Sequence, residues 1–430
     1  MTEAEARAIL ERALAHATAD STEAMLSGYA EASTRFANNA ITQNVAKTNA
    51  RLTVRSAFEN RVGTVTVNSF DDDRLRDAVR RAEEIARQAA PDTEHMPPVE
   101  PTAYAQVVAW DEAAAAATAE DRAAVVRAGI EAAEGAGLTA AGSYATDSGL
   151  EAVANSRGLF ACHRSTSARY TVTAIGPDST GWAESAGWRL ADVDAASATR
   201  RAIDKAAAAR APQEVEPGPF TVILEPAAAA EMLAFLAWTL DAKAAAEGRS
   251  AFSGKEGTRI ADSRVTLATH PADMECPGAP FFGDGAAAPD VTWIGDGVVR
   301  ELARTRYWAA RTGRPFTGRP TNLLMLGGDA SVDDLVASTE DGILVTRFWY
   351  IRFVDPMKLL LTGMTRDGLY RVRGGKVVGG VRNMRFNESP LRMLANLEAV
   401  GRPRTVGGHM PARVPPLRVG SFAFTSGTAF

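Results

Sequence analysis

The chain has 430 residues, of which 46% are hydrophobic and 23% are charged, and its formal net charge at pH 7 is −5. This composition is that of a folded globular protein, and the length predicts two domains rather than one. The negative charge argues against a surface that holds nucleic-acid phosphates. No run approaches the roughly 18 apolar residues of a membrane-spanning helix, so we expect neither nucleic acid nor membrane as a partner.

The N-terminal segment MTEAEARAIL predicts a helix over residues 3–18 that begins with a capping box of Thr2 and Glu5. It has neither the basic region nor the continuous apolar run of an export signal. The two cysteines, Cys162 and Cys276, are too few for a disulfide framework. We therefore expect a cytoplasmic protein.

The first half of the chain predicts alternating strands and helices. Residues 50–58 and 62–68 alternate polar and apolar side chains on either side of a short turn, which indicates a hairpin. Residues 72–88 predict a charged amphipathic helix with Leu75, Val79 and Ile85 on its buried side. The remaining predictions are a helix at 119–136, strands at 138–144, 150–155 and 166–175, and a helix at 191–211.

The proline-containing segment APQEVEPGP at residues 211–219 predicts a domain boundary. It separates an N-terminal α+β domain, residues 1–211, from a C-terminal β-rich domain, residues 219–430. Regular glycine turns in the second half predict a curved, largely antiparallel sheet or a barrel-like domain. The fold class is therefore α+β: an N-terminal α/β-type sandwich with antiparallel hairpins, followed by a barrel-like domain that contains a buried helix.

That helix is predicted over residues 225–248, after a strand at 220–224. It is apolar nearly all round, with a face that predicts burial, made of Met232, Leu233, Phe235, Leu236 and Leu240. The loop RSAFSGKEG, residues 249–257, follows it. A buried helix that runs into a tight Ser/Gly loop is a good place for an active site.

The helix and its FSGKEG loop resemble the TldD/TldE (PmbA) family of peptidases. Other segments that resemble the family, in the expected order, are TRFANNAITQN at 34–44, ANSRG at 154–158, TRFWYIRFVDP at 346–356, LTGMTRDG at 361–368 and RNMRFNESPL at 382–391. The resemblance implies a two-domain α+β architecture. It also implies that a zinc-bearing TldD protomer and a TldE protomer enclose a chamber where peptides are cleaved.

The TldD half of this family carries a HExxxH zinc motif on the corresponding helix. Counted back from the loop without gaps, the first His of that motif falls on Leu233, the Glu on Ala234 and the second His on Trp238. These side chains can neither hold zinc nor accept a proton from bound water. The expected C-terminal Cys ligand is missing too, since residues 404–419 contain His409 and no Cys. The resemblance therefore implies a TldE/PmbA-like member without a metal or other cofactor.

Other metal chemistry has little support in the sequence. The five histidines are scattered and none pairs with another at helical spacing: His16, His95, His163, His270 and His409. Cys162 and His163 are neighbours that a strand would point to opposite faces, and the loop from His270 to Cys276 offers too few ligands for a closed site. The sequence therefore predicts no metal site.

The loop after the helix supplies the candidates for peptide binding, because its backbone could hydrogen-bond an extended peptide. These candidates are Arg249, Phe252, Ser253, Gly254 and Lys255. Ser253 and Lys255 could in principle serve acyl transfer, but the pattern lacks a nucleophile elbow, and a tight turn explains it better.

The segment RFWYIRF, residues 347–353, is the second candidate surface. As a regular strand it would place Phe348, Tyr350 and Arg352 on one face. The opposite, apolar face is Trp349, Ile351 and Phe353, which we expect to pack in a core; a subunit interface or a peptide-contacting surface is the alternative.

Three functions remain open at this point. The first is a non-catalytic, zinc-free subunit that forms a heterodimer with a zinc-bearing TldD-like chain and binds peptide. The second is a metal-independent homodimeric enzyme acting on a peptide or peptide-derived metabolite, with Asp284, Arg366 and Asp367 as the residues to test. The third is a peptide-binding or regulatory module without a peptidase partner.

Overall fold

The computed structural model describes residues 1–408 and 410–428, and within them the chain is an α+β fold built on three sheets. His409 lies outside the described residues. No helix in the described part of the chain is both long enough and apolar enough to cross a membrane.

The first half of the chain forms one antiparallel sheet and the helices packed on it. Its elements are α1 (Glu3–Ala15), β1 (Ser21–Ala37), β2 (Ala40–Phe58), β3 (Arg61–Val67), α2 (Asp72–Gln88), α3 (Glu112–Ala116), α4 (Ala119–Gly135), β4 (Thr139–Asn155), β5 (Phe160–Ile175), β6 (Thr180–Gly187) and α5 (Ala195–Ala208). The six strands follow the order β3-β2-β1-β4-β5-β6, with every neighbouring pair antiparallel. Helices α1 and α2 share one apolar cluster with the sheet, and α4 and α5 share another.

Several local predictions for this half are confirmed. The capping box of Thr2 and Glu5 begins α1, the β2–β3 hairpin turns at Glu59–Asn60, and α2 has the predicted bounds. The prediction for Ile85 is wrong, since this side chain is 48% exposed and the buried side of α2 uses alanines instead.

Several predicted boundaries in this half are also wrong: the helix predicted over residues 3–18 ends at Ala15, and the strand predicted at 166–175 begins at Phe160. The predicted strands at 138–144 and 150–155 are one continuous strand, β4, because β1 and β5 pair with it along both sides and keep the polar stretch between them extended. The helix expected over 191–211 is shorter. A 3-10 turn, Leu190–Asp192, precedes α5, whose N-cap is Asp194.

The second half of the chain contains two more sheets. Its elements are β7 (Gly218–Leu224), α6 (Pro226–Trp238), α7 (Ala242–Ala246), β8 (Leu267–Thr269), β9 (Val291–Gly295), β10 (Val298–Val299), α8 (Arg306–Thr312), β11 (Leu323–Met325), α9 (Val332–Ala337), β12 (Asp341–Asp355), β13 (Leu360–Arg373), β14 (Lys376–Gly380), β15 (Met384–Glu388), α10 (Pro390–Ala395), β16 (Leu397–Val400), β17 (Arg404–Val406), β18 (Ala412–Val414) and β19 (Leu417–Gly427).

A closed barrel is the centre of this half, as predicted. Strands β12, β7, β19, β15 and β13 are hydrogen-bonded in that order, and the pairing of β12 with β13 closes the ring. Phe348, Phe386 and Phe422 stack in its interior with ring centroids 4.6 to 5.5 Å apart. The other sheet has the order β10-β9-β8-β11-β18-β17. Helix α6 packs between these elements, with Met232, Leu233 and Leu236 fully buried.

The single helix predicted over residues 225–248 is wrong, because the chain breaks after Trp238. The Thr239 hydroxyl donates to the carbonyls of Phe235 and Leu236 and so satisfies the end of α6. Asp241 then begins α7 as its N-cap. The break is fixed by a neighbouring segment, since Ala303 donates to the Leu240 carbonyl and accepts from the Ala242 N–H. The interaction that ends the helix thus comes from residues far away in sequence.

Close packing of β6 on α5 gives a testable expectation. A Cβ atom on Gly181 would lie 2.2 Å from the Ala202 carbonyl oxygen and 2.3 Å from the Ala206 nitrogen, both in the backbone of α5. Gly181→Ala should therefore lower the free energy of unfolding by about 2 kcal/mol or more, because backbone must shift. Gly135→Ala is the matched control, since no atom lies within 4 Å of its Cβ position. Urea denaturation of both variants measures the difference, and equal stabilities would contradict this packing.

Candidate functional site

A cavity of about 770 Å³ opens between α6, the barrel strand β12 and the edge strand β6 of the first sheet. Strand β5 contributes Arg169, and the segment between β17 and β18 contributes Gly407, Gly408 and Met410. The cavity therefore lies where the two halves of the chain meet, next to the helix that the sequence singles out.

Small side chains on α6 leave the space open. Ala227, Ala230 and Ala234 line the cavity along one side of the helix, at spacings of three and four residues. Trp238 lies four residues beyond Ala234, lines the same cavity and is 51% exposed. Leu233 is instead fully buried in the core and does not line the cavity. Two of the three positions where the zinc motif would fall, Ala234 and Trp238, therefore line the cavity. Their side chains are a methyl group and an indole.

Two partly buried ion pairs border the cavity. Glu184 on β6 pairs with Arg169 at 2.8 Å, and burial raises the pKa of the Glu184 carboxyl. Arg347 on β12 pairs with Asp367 at 2.5 Å, and its guanidinium lies 4.7 Å from the centre of the Trp182 ring. Each arginine here is matched to a carboxylate, so both side chains are held in fixed positions.

Glu231 on α6 is the acid that lines the cavity without an ion-pair partner among the described residues. The Phe348 N–H donates to its Oε2 at 2.7 Å, and no described residue donates to its Oε1. Burial outweighs this hydrogen bond and nearby Arg347, and raises the pKa of Glu231 to about 8. At neutral pH a large share of this carboxyl is therefore protonated and can donate a hydrogen bond.

The loop proposed for peptide binding lies away from this cavity, and none of its five candidate residues lines it. Phe252 is fully buried in the core, while Arg249 is exposed and pairs with Glu247. Ser253 accepts a hydrogen bond from the Ser250 N–H at 3.4 Å. Gly254 has φ +70°, and the N–H of Lys255 donates to the Phe252 carbonyl. The N–H groups of Ser250 and Lys255 thus donate hydrogen bonds within the loop itself.

The segment 347–353 departs from the regular alternation predicted for it. Tyr350 has φ +58°, and the pairing of β12 with β13 gains one residue between Trp349 and Arg352, which is a β-bulge. Phe348 consequently packs inside the barrel, while Trp349 is 45% and Tyr350 59% exposed. The expectation of core packing is therefore wrong for Trp349 and for Phe353, which is 40% exposed, whereas Ile351 is partly buried and packs against the core. All three side chains line the cavity.

The structure does not bring the three alternative-activity residues together. Asp284 lies in the turn before Ala286 and pairs with Arg306 at 3.3 Å. Arg366 and Asp367 line a second cavity of about 1020 Å³, on the other side of Trp349 from the first. Asp367 has φ +55° and is held by Arg347.

The described residues that border the first cavity do not fit a zinc ion. Its described lining residues include no imidazole and no thiolate, and their two carboxyls are Glu184 and Glu231. Elsewhere in the described chain, no group of three or more His, Cys, Asp and Glu side chains is placed to hold a metal. His270 pairs with Asp290 at 2.6 Å, and burial raises the pKa of the Cys276 thiol to about 12.

Sequence reasoning missed Arg169, Glu184 and Glu231, and it included Arg347 only as the first residue of the segment 347–353. Glu231 left a signal, since it is the one charged residue in the otherwise apolar run 226–240. The other three lie on strands whose approach to α6 depends on the packing of the whole chain.

Comparisons with known proteins agree with this fold. Models of a single family match most of the chain: PmbA/TldA metallopeptidase domain 1 over residues 22–86, the central domain over 97–210 and the C-terminal domain over 217–426. A curated metalloprotease of Methanothermobacter thermautotrophicus is 23% identical over 172 residues, a match that spans 36% of this chain and 36% of that protein.

Solved structures share the whole architecture. TldE from Thermococcus kodakarensis superimposes with a TM-score of 0.88 at 16% identity, covering 98% of this chain and 99% of that chain. A protein described as a modulator of DNA gyrase, from Bacteroides thetaiotaomicron, gives 0.85 at 20% identity over all of both chains. A protein of the same description from Thermotoga maritima gives 0.85 at 15% identity, covering 97% of this chain and 100% of that chain. The chain belongs to the PmbA/TldD metallopeptidase family, and its sequence contains no HExxxH motif.

Proposed function

We propose that this chain is a non-catalytic, zinc-free subunit of a TldD/TldE-type metallopeptidase in the cytoplasm. It pairs with a zinc-bearing TldD-type chain and forms part of the wall of a chamber in which unfolded peptides are cleaved or matured. The observation that carries the proposal is the cavity face of α6, where Ala234 and Trp238 occupy positions of the zinc motif. Neither side chain can bind a metal or move a proton.

An exposed apolar surface supports the pairing with another chain. Around the turn between β12 and β13, five large side chains are at least 40% exposed: Trp349, Tyr350, Phe353, Val354 and Met357. Apolar patches of this kind mark protein contacts more often than free surface. The surface borders the cavity, so a partner seated on it would also close the cavity.

Zinc analysis of the purified chain tests the absence of a metal centre. After expression in zinc-containing medium and dialysis, we expect less than about 0.1 zinc per chain, because a tight site needs three or four ligands. The isolated chain should also leave an unfolded peptide intact. One zinc per chain, together with chelator-sensitive cleavage, would contradict the proposal.

A metal-independent homodimeric enzyme is the second candidate. It is favoured by the second cavity, where Arg366 and Asp367 lie side by side with Arg347 behind them. In that case the isolated chain would transform a peptide or peptide-derived metabolite in the presence of chelator, and Asp367→Asn would abolish the reaction.

A further inference from the structure

Three arginines and two glutamates are among the described residues that line the first cavity, and of these five side chains Glu231 is the one that lacks a charged or aromatic partner there. Arg169 is paired with Glu184, Arg347 is paired with Asp367, and Arg352 stacks on Tyr350 at 4.1 Å. Glu231 lines the same cavity and has no cationic partner among the described residues. Its Oε2 is occupied by the Phe348 N–H, which leaves Oε1 for a ligand.

Aromatic rings form the wall beside this carboxyl. Phe235, one helical turn after Glu231, packs edge-on against Trp238 at 5.0 Å and against Phe353 at 5.2 Å. The alanines at 227, 230 and 234 leave room in front of them. A cavity that is lined by both a carboxylate and aromatic rings, and is partly desolvated, can bind an organic cation.

We infer that this cavity binds a primary ammonium group carried by a peptide, with Glu231 as its counter-ion. The peptide part rests on the proposed function, whereas the ammonium part rests on the cavity alone. A compact ammonium suits one available oxygen. A guanidinium binds best to both oxygens of a carboxylate, and the Phe348 N–H already holds one of them. The ammonium belongs either to a lysine side chain or to the amino terminus of the peptide.

Binding should depend on pH because the counter-ion must be ionised. The charged groups that face Glu231 are Arg169 on β5, Glu184 on β6 and Arg347 on β12. Together with burial they hold the pKa of Glu231 at about 8 in the empty cavity. Affinity for a lysine ammonium should therefore rise nearly tenfold per pH unit up to about pH 8 and then level off until the amine itself titrates near pH 10.

Calorimetric titration of the 430-residue chain with three peptides tests this site. The first is N-acetylated and C-amidated and carries one lysine; the second replaces that lysine with norleucine; the third has a free amino terminus and no lysine. We expect a peptide with an ammonium group to bind at least about tenfold more tightly than the norleucine peptide. Tight binding by the first assigns the cavity to a lysine side chain, and by the third to an amino terminus.

Two variants show whether Glu231 is responsible. Glu231→Gln keeps an acceptor for the Phe348 N–H and should abolish both the preference for the ammonium peptide and its pH dependence. Ala234→Leu narrows the cavity without changing its charge and should weaken binding about tenfold or more. Glu214→Gln, a surface control outside the cavity, should bind as the unmodified chain does.

The inference is overturned if the ammonium and norleucine peptides bind equally, or if Glu231→Gln retains the preference. Its failure differs from that of the proposed function. Partner-dependent cleavage without ammonium preference removes only the inference, whereas ammonium preference without any partner-dependent cleavage removes only the peptidase role.

Discussion

Replacing Glu231 with glutamine is expected to stabilise the protein by roughly 2–3 kcal/mol at about pH 7.5 and to change its stability little near pH 4.5. The carboxyl of Glu231 has a reference pKa of 4.5 and titrates in the folded protein at about 8. Between these values the folded state holds a proton that the unfolded state has released. The stability of the unmodified protein therefore falls as pH rises, by at most about 1.4 kcal/mol per unit.

Glutamine carries no titrating proton, so the variant lacks this decline. The expected gain in the free energy of unfolding is smaller than the full pKa difference would give. Water in the cavity and small movements of the protein lower the cost of burying the charge. Chemical denaturation at several pH values between about 4.5 and 9 measures the difference. The control is Glu214→Gln, whose carboxylate is 80% exposed and pairs with Arg382 on the surface; it should shift stability by less than about 0.5 kcal/mol at any pH. A gain for Glu231→Gln that is the same at every pH would contradict the buried, proton-holding carboxyl.

Much of the fold follows from local patterns in the sequence. The β2–β3 hairpin and helix α2 follow directly from alternation and amphipathic spacing, and the glycine turns indicate the barrel-like second half. The wrong predictions occur where residues distant in sequence determine where a strand or a helix ends. Strand β4 continues through a polar stretch because β1 and β5 flank it, and α6 ends where residue Ala303 bonds to the chain after it. A short stretch of sequence around β4 or α6 does not contain these interacting residues.

The candidate site was predicted less well than the fold. Apolar composition and the following loop identify the helix at its centre, but the loop residues predicted to bind peptide do not line the cavity. The bulge at Tyr350 interrupts the alternation of β12, and every residue from 347 to 353 lines the cavity, which a strict two-residue alternation cannot anticipate. The pairing of Arg169 with Glu184 and of Arg347 with Asp367 brings together residues 15 and 20 positions apart, on neighbouring strands whose register only the folded sheet defines.

Cleavage by the assembled pair is expected to exceed the sum of the two separate activities by about a hundredfold or more. On the proposed function, the TldD-type chain would hold the zinc that polarises the attacking water, and this chain would not. On the same proposal both chains would form the chamber, and a peptide that is not held in position loses several kcal/mol of transition-state stabilisation. A partner whose HExxxH glutamate is replaced by glutamine should pair with this chain and remain inactive, which separates assembly from catalysis.

The most direct measurement is the initial rate of cleavage of an unfolded peptide by this chain alone, by a zinc-loaded TldD-type chain from the same genome alone, and by the two mixed in equal amounts. Native mass of the mixture establishes whether they assemble. We expect a one-to-one complex with chelator-sensitive cleavage and no cleavage by this chain alone. Chelator-sensitive cleavage by the isolated chain, or a mixture that neither assembles nor gains activity, would contradict a zinc-free partner subunit.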